Sequence, residues 1–321
     1  MKITTRKIAA EAGISPATVS RYINGTVRVS DDLAERIERA VNELGGTVMR
    51  KSPGQYVFVL VTHIRFSFYR QALSDLLSEK SPYQIVLLHY DANSAETIKN
   101  NVMFFKPVGV IYFEEEIDDE ILNYLQGKGI RTVMLGGMAP NSGSEMIRVN
   151  DLAAAYEGTN YLLKLGHRNI LFLSDEVRKI SAGFQRITGC RQALEENGLS
   201  LDNEHVYYND VTFQAGYDAI QDALQKGIEF TAVFAFSDEL AVGAMAALYD
   251  RGLNVPGDIS VLGFDDLEIA QRIRPALTTI HQPVDLFVKK ALDLIGDPSL
   301  APRTEILLPF TIIERGSCKA L

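Results

Sequence analysis

From residue 56 onward, short apolar runs alternate with stretches of helical periodicity, and this alternation restricts the fold more than any other feature of the chain. The runs that read as strands are Tyr56–Val61, Gln84–Tyr90, Val108–Phe113, Arg131–Leu135, Ile147–Asn150, Asn169–Ser174, His205–Asn209, Ala232–Phe236, Ser260–Gly263, Thr278–His281 and Glu305–Ile313. Between most of them lie helical stretches such as Leu152–Leu165, Ile187–Asn197 and Asp238–Arg251. Solid apolar strands separated by helices mean parallel sheets covered on both faces. Eleven such strands in about 265 residues divide between two sheets more readily than they fit into one. Ligands of doubly wound sheets sit beyond the carboxyl ends of the strands, and two such lobes facing each other form a cleft that can close on a small molecule.

The first 46 residues follow a different pattern. Thr4 stands at the N-cap of a first helix whose inner stripe is Ile8, Ala9 and Ala12, and Gly13 supplies a left-handed turn. Ser15 caps a second helix, and Pro16 occupies its first turn, where a missing N–H costs nothing. Val19 and Ile23 face inward, Pro16, Ala17, Ser20 and Arg21 face outward, and Asn24-Gly25 ends the helix. Ser30 caps a third helix with Leu33, Ile37, Ala40, Val41 and Leu44 on its apolar face. A short helix with small outward residues and one arginine can enter a DNA major groove, so the segment reads as a helix-turn-helix. A helical hairpin that merely packs on another domain is the competing reading, and charge argues against it. Residues 1–52 carry net +3 on nine Lys/Arg and six Asp/Glu, within a chain of net charge −9. A basic head on an acidic body touches phosphate at one end only.

Other function classes find little support. No apolar segment approaches the roughly 20 residues of a membrane span. Glu11 falls where a secretion signal would be apolar, which leads to the expectation of a cytoplasmic protein. Cys190 and Cys318 give neither a disulfide framework nor metal spacing, and the five histidines are scattered. No phosphate loop, dinucleotide fingerprint or nucleophile elbow is present, so no catalytic residue, metal or cofactor is expected. A solute-binding receptor without any role on DNA is the alternative that would suit the body alone.

ATVSRYING followed by an amphipathic helix ending in LG resembles the headpiece of the LacI/GalR family of bacterial transcriptional regulators, particularly its sugar-responsive members. The likeness continues through LLKLGHRNILFL (162–173), RITGCRQALEENG (186–198), FAFSDELAVGAMAALYDRGLNVPGDISVLGFDD (234–266) and RPALTTIHQP (274–283). It implies a periplasmic-binding-protein-like body of two doubly wound lobes, with a chain that crosses between them three times. The expected organisation is a DNA-binding domain over 1–46, a linker over 47–55, and an effector-binding and dimerisation domain over 56–321. The implied partners are pseudo-palindromic operator DNA, a second copy of the chain, and a small-molecule effector. A neutral sugar is the first expectation for that effector and a nucleobase or nucleoside the second.

On DNA, Arg21 is the candidate for a bidentate guanine contact and Ala17 for a thymine methyl. Thr4, Ser15, Ser20, Asn24 and Arg28 are candidates for positioning the unit on phosphates, with Pro16 on the same face. In the body, the resemblance marks Phe68 and Tyr69 for stacking and Arg186, three residues before Gly189, as an arginine that reaches into the cleft. It also marks Ser237-Asp238, where the family usually has Asn-Asp, and Asp265, which matches a cleft acid, while Gln282, at the end of the next strand, is a candidate for contact with the ligand or with the hinge between lobes. Asp266 is expected to cap the helix that follows. Two departures stand out. Val211 occupies a position that is often aromatic in the family, with Phe213 two residues later. The linker around Pro53-Gly54 lacks the family's hinge-helix signature, so operator DNA is expected to be kinked less.

Overall fold

The structure, a computed structural model, describes residues 4–23, 29–45, 56–62, 66–91, 93–113, 118–138, 143–175, 182–297 and 305–321. Asn24, Arg28 and the whole linker expectation lie outside the described residues. The chain packs as two compact units, one of residues 1–60, 81–110 and 118–131, the other of residues 61–80, 111–117 and 132–321.

The headpiece contains α1 (Thr5–Ala12), α2 (Pro16–Ile23) and α3 (Asp31–Glu43). Thr4 accepts from the Lys7 N–H at 3.4 Å, Ser15 Oγ accepts from the Thr18 N–H at 3.0 Å, and Gly13 takes φ +65°. Ile8, Ala9, Ala12, Val19, Tyr22, Ala34, Ile37, Ala40 and Val41 form the small core. Tyr22, absent from the expected inward stripe, is buried more completely than Ile23, and its hydroxyl donates to Glu38 on α3. Arg36 donates to the Ala12 carbonyl at 2.8 Å, satisfying an end of α1 that has no intrahelical partner. Ser30 stands at the N-cap of α3, but its side chain makes no capping bond, a correction to the expected cap.

The remaining elements are β1 (Tyr56–Val61), α4 (Ser67–Ser78), β2 (Gln84–His89), α5 (Ala95–Phe105), β3 (Gly109–Tyr112), α6 (Asp119–Gly127), β4 (Arg131–Leu135) and β5 (Glu145–Val149). They continue with α7 (Asp151–Lys164), β6 (Ile170–Ser174), α8 (Ala182–Glu196), β7 (Val206–Tyr208), α9 (Phe213–Gln225), β8 (Ala232–Ala235) and α10 (Asp238–Asp250). The chain ends with β9 (Ser260–Asp265), α11 (Glu268–Arg272), β10 (Thr278–His281), α12 (Val284–Gly296), β11 (Glu305–Leu308) and β12 (Thr311–Ile313). Among the described residues the strands form two six-stranded sheets, β11-β5-β4-β3-β1-β2 and β12-β10-β9-β8-β6-β7.

The chain passes from the first sheet to the second after β5, returns for β11, and passes again to β12. The run Glu305–Ile313 is therefore two strands rather than the single one expected. Leu308 pairs in parallel with Val149, whereas Ile313 pairs antiparallel with Thr279. Pro309, which has no N–H to give a ladder, stands where the chain changes sheets.

Helices of the second sheet approach each other backbone to backbone. A Cβ on Gly216 would stand 2.1 Å from the Leu240 carbonyl oxygen of α10, and one on Gly243 would stand 1.9 Å from the Phe213 carbonyl oxygen of α9. His167 joins Thr231 and Ser260 at 3.0 Å each and the Lys319 carbonyl at 3.1 Å, which holds down the C-terminal segment. Burial lowers its pKa. Burial pushes both thiols, Cys190 and Cys318, up to about 12. Gly243→Ala should cost about 1–3 kcal/mol through overpacking against α9. Urea unfolding of the variant checks this, with an unchanged midpoint as the contrary result.

Candidate functional site

Strands β6, β8, β9 and β10 are parallel neighbours, so the residues that follow them share one edge of the second sheet. That edge carries Asp175, then Phe236-Ser237-Asp238, then Asp265 at the end of β9, then Gln282. Arg186 reaches the same place from α8. Its Nε donates to Asp151 Oδ1 at 2.8 Å and its Nη1 to the Phe236 carbonyl at 2.6 Å. The guanidinium lies over the Phe264 ring, 3.7 Å from the centroid. Three fixed contacts leave it one orientation. Burial works against its charge, but Asp151, Asp265 and Asp175 outweigh that effect and strengthen its hold on the proton.

Asp151, the first residue of α7, is buried between two arginines, with Arg148 Nη1 3.8 Å away on its other side. Arg148 in turn pairs with Glu305 of β11 at 2.6 Å. Burial raises the Asp151 pKa, and Arg186 and Arg148 oppose the rise. Asp265 accepts from Gln282 Nε2 at 2.7 Å and holds φ at +113°, a conformation L residues rarely adopt and one that costs on the order of 1–3 kcal/mol. Burial pushes its pKa up to about 7 against the pull of Arg186.

Ser237 and Asp238 stand at this edge but turn their side chains to the framework. Ser237 Oγ accepts from the Leu240 N–H at 3.2 Å, capping α10. Asp238 accepts from Thr279 Oγ1 at 2.6 Å and from the Leu267 N–H at 2.7 Å, and burial raises its pKa well above the usual carboxylate range. Asp266 does not cap the next helix as expected. Its left-handed backbone (φ +61°) directs the carboxylate to Arg315 at 2.5 Å and His281 at 3.0 Å, and Leu267 takes the N-cap of α11.

At the start of α4, Phe68 packs edge-on against Phe287, with ring centroids 5.6 Å apart, and its ring lies against Gly136. The Tyr69 hydroxyl donates to the Phe113 carbonyl at 3.0 Å. Ser67 donates to Glu239 of α10, and Arg70 reaches the same carboxylate at 3.3 Å, so the start of α4 meets the start of α10. Val211 packs on the core, whereas Phe213 is exposed and stacks on Tyr217. Sequence reasoning missed Asp151 and Asp175, although Asp175 directly follows the apolar strand β6 and Asp151 stands two residues after β5.

On the headpiece, Thr4, Ser15, Pro16, Ala17 and Arg21 are exposed and Ser20 is half-buried, which places the expected outward residues of α2 on its outer face. No helix among the described residues is long and apolar enough to cross a membrane.

A three-helix headpiece joined to two parallel-sheet lobes, with charged side chains gathered at the strand ends of one lobe, defines a regulator that binds DNA and carries a ligand-binding-type body. Profile matches agree. Bacterial regulatory proteins of the lacI family match residues 4–45, and the periplasmic binding protein-like domain matches residues 159–318. The ribose operon repressor of Escherichia coli strain K12 is 30% identical over 331 residues, covering 98% of this chain and 99% of that protein. The transcriptional regulator CelR–cellobiose complex superposes with a TM-score of 0.72 at 27% identity, over 98% of this chain and 100% of the other. A LacI family regulator from Enterococcus faecium with bound ribose gives 0.72 at 25% identity, over 83% and 100%. The chain belongs to the LacI family of bacterial transcriptional regulators.

Because the Asp265 carboxyl binds its proton more tightly when folded than when unfolded, it stabilises the fold at low pH. That contribution is lost as pH rises from about 4 toward 7. Asp265→Asn should flatten the decline in stability across this window. Urea midpoints at a series of pH values check this, and an unaltered slope would contradict it.

Proposed function

We propose that the chain is a cytoplasmic homodimeric repressor whose affinity for a pseudo-palindromic operator is set by an uncharged sugar. The headpiece over 1–46 reads DNA, residues 47–55 connect it, and the body over 56–321 dimerises and binds the effector. The observation that carries the effector reading is Arg186, fixed by Asp151, the Phe236 carbonyl and the Phe264 ring, with Asp265 and Gln282 beside it. A guanidinium fork next to a carboxylate and an amide matches the donors and acceptors of vicinal hydroxyls. Phe68 and Tyr69 supply apolar ring surface for sugar C–H faces. Ser237 and Asp238 belong to the same site as its support, holding the β8–α10 turn and the start of α11. The ribose and cellobiose named for the relatives favour a sugar over a nucleobase.

On DNA, Arg21 contributes sequence discrimination and the hydroxyl residues contribute register. Effector binding alters the separation of the two headpieces in the dimer. A coupling of about 1–3 kcal/mol is enough to change operator affinity 5- to 150-fold.

Arg21→Ala should lose about 1–3 kcal/mol of preference for operator over random DNA. Fluorescence anisotropy at fixed salt measures this, and equal weakening on both DNAs would make Arg21 a phosphate contact instead. Arg186→Ala should abolish the thermal shift that D-ribose or cellobiose gives the full chain while leaving operator binding in place. A retained shift would remove Arg186 from the site.

A further inference from the structure

We propose that Asp175 is a specificity-determining residue of this site, accepting a hydroxyl hydrogen from an uncharged polyol and turning away effectors that carry a carboxylate or phosphate. The inference rests on the sugar-effector reading above and adds the charge class of the ligand.

Asp175 directly follows β6, in the row of strand ends that includes Phe236 and Asp265. The Phe236 N–H donates to the Leu173 carbonyl at 2.8 Å, which ties the ends of β6 and β8 side by side. The neighbouring helix is built around this carboxylate. A Cβ on Gly183, in the first turn of α8, would stand 1.7 Å from Asp175 Oδ1, so a residue with a side chain there would displace the acid. Arg186 is one turn further along the same helix and feels the Asp175 charge, yet it commits its Nε to Asp151 and an Nη1 hydrogen to the Phe236 carbonyl. The side-chain hydrogen bond to Asp175 among the described residues comes from Ser174 Oγ and is long, 3.4 Å.

Asp151 is thus held by Arg186 and Arg148, whereas Asp175 and Asp265 act on the Arg186 charge without a hydrogen bond to it among the described residues. Burial raises the Asp175 pKa and Arg186 opposes the rise, so an anionic ligand that reaches Arg186 meets the Asp175 carboxylate beside it in a desolvated setting, where like charges repel strongly. A hydroxyl that donates to Asp175 and accepts from Arg186 satisfies both groups without adding charge. Specificity of this kind works by penalising the wrong ligand.

The test is calorimetric titration of the full chain with D-ribose and cellobiose as neutral probes, and D-ribose 5-phosphate and D-gluconate as anionic ones. Three proteins are compared: the unaltered chain, Asp175→Asn, and Gly183→Ala, which keeps the charge but moves it. The unaltered chain should prefer a neutral probe over its anionic counterpart by about tenfold or more, and both variants should reduce that ratio by about tenfold. A ratio unchanged within about twofold in Asp175→Asn, or a preference of the unaltered chain for an anionic probe, overturns the assignment of Asp175. If no probe binds the unaltered chain although it still binds operator, the sugar reading itself fails and this inference with it. Circular dichroism melting of each variant separates loss of specificity from loss of fold.

Discussion

The site depends on one buried carboxylate shared by two arginines. Asp151 stands where the chain leaves β5 of the first sheet for α7, with Arg148 on one side and Arg186 on the other. Removing one partner of such a buried pair typically costs about 3–5 kcal/mol, because a charge is left without compensation. Asp151 takes up the Nε of Arg186 and so turns the outer edge of the guanidinium toward the strand ends. Arg148, anchored to Glu305, extends the chain of charges to β11. The residue that orients the candidate ligand-binding arginine is therefore also the one at which the chain changes sheets. A change at the ligand can thereby reach the backbone crossing through side chains that have few alternative arrangements.

Glycines shape the same region by omission. Gly263 lies so near Asp238 that a Cβ there would stand 2.4 Å from Oδ1, and Gly183 leaves room for Asp175. Both acids come close to backbone that a larger residue would push away. Asp265 reaches its position by a strained backbone instead. Strain and desolvated carboxylates are both unfavourable, and they gather at one edge of one sheet, which is the pattern expected where a site has been built for a ligand.

Much of the architecture was legible from local pattern. The strands up to β10 and the three headpiece helices declare themselves through apolar periodicity, and Thr4, Gly13 and Ser15 through the chemistry of helix ends. Glu305–Ile313 misled because an apolar run has the same appearance whether its strand continues or changes sheets, and Pro309 alone marked the break. Asp266 and Ser30 misled because a helix start invites a cap, whereas long-range partners or the local backbone decide whether one forms. Arg315 is far from Asp266 in sequence, and nothing local announces it. Arg186 and Asp265 were found through family resemblance, and Gln282 through its place at the end of a strand. Asp151 and Asp175 were not, since their importance arises from the arginine whose charge both act on, and that proximity exists only after folding. The outward residues of α2 could be placed on its exposed face by helical periodicity alone.

The most direct test of a sugar-controlled repressor is the affinity of the full chain for an operator selected from random DNA, measured by fluorescence anisotropy at constant salt with and without saturating D-ribose or cellobiose. The account predicts a change of about 5- to 150-fold with at least one of these sugars, absent from Asp151→Asn, in which Arg186 loses its charged anchor. Operator affinity that is the same with and without either sugar, or a sugar effect that survives in Asp151→Asn, would contradict it.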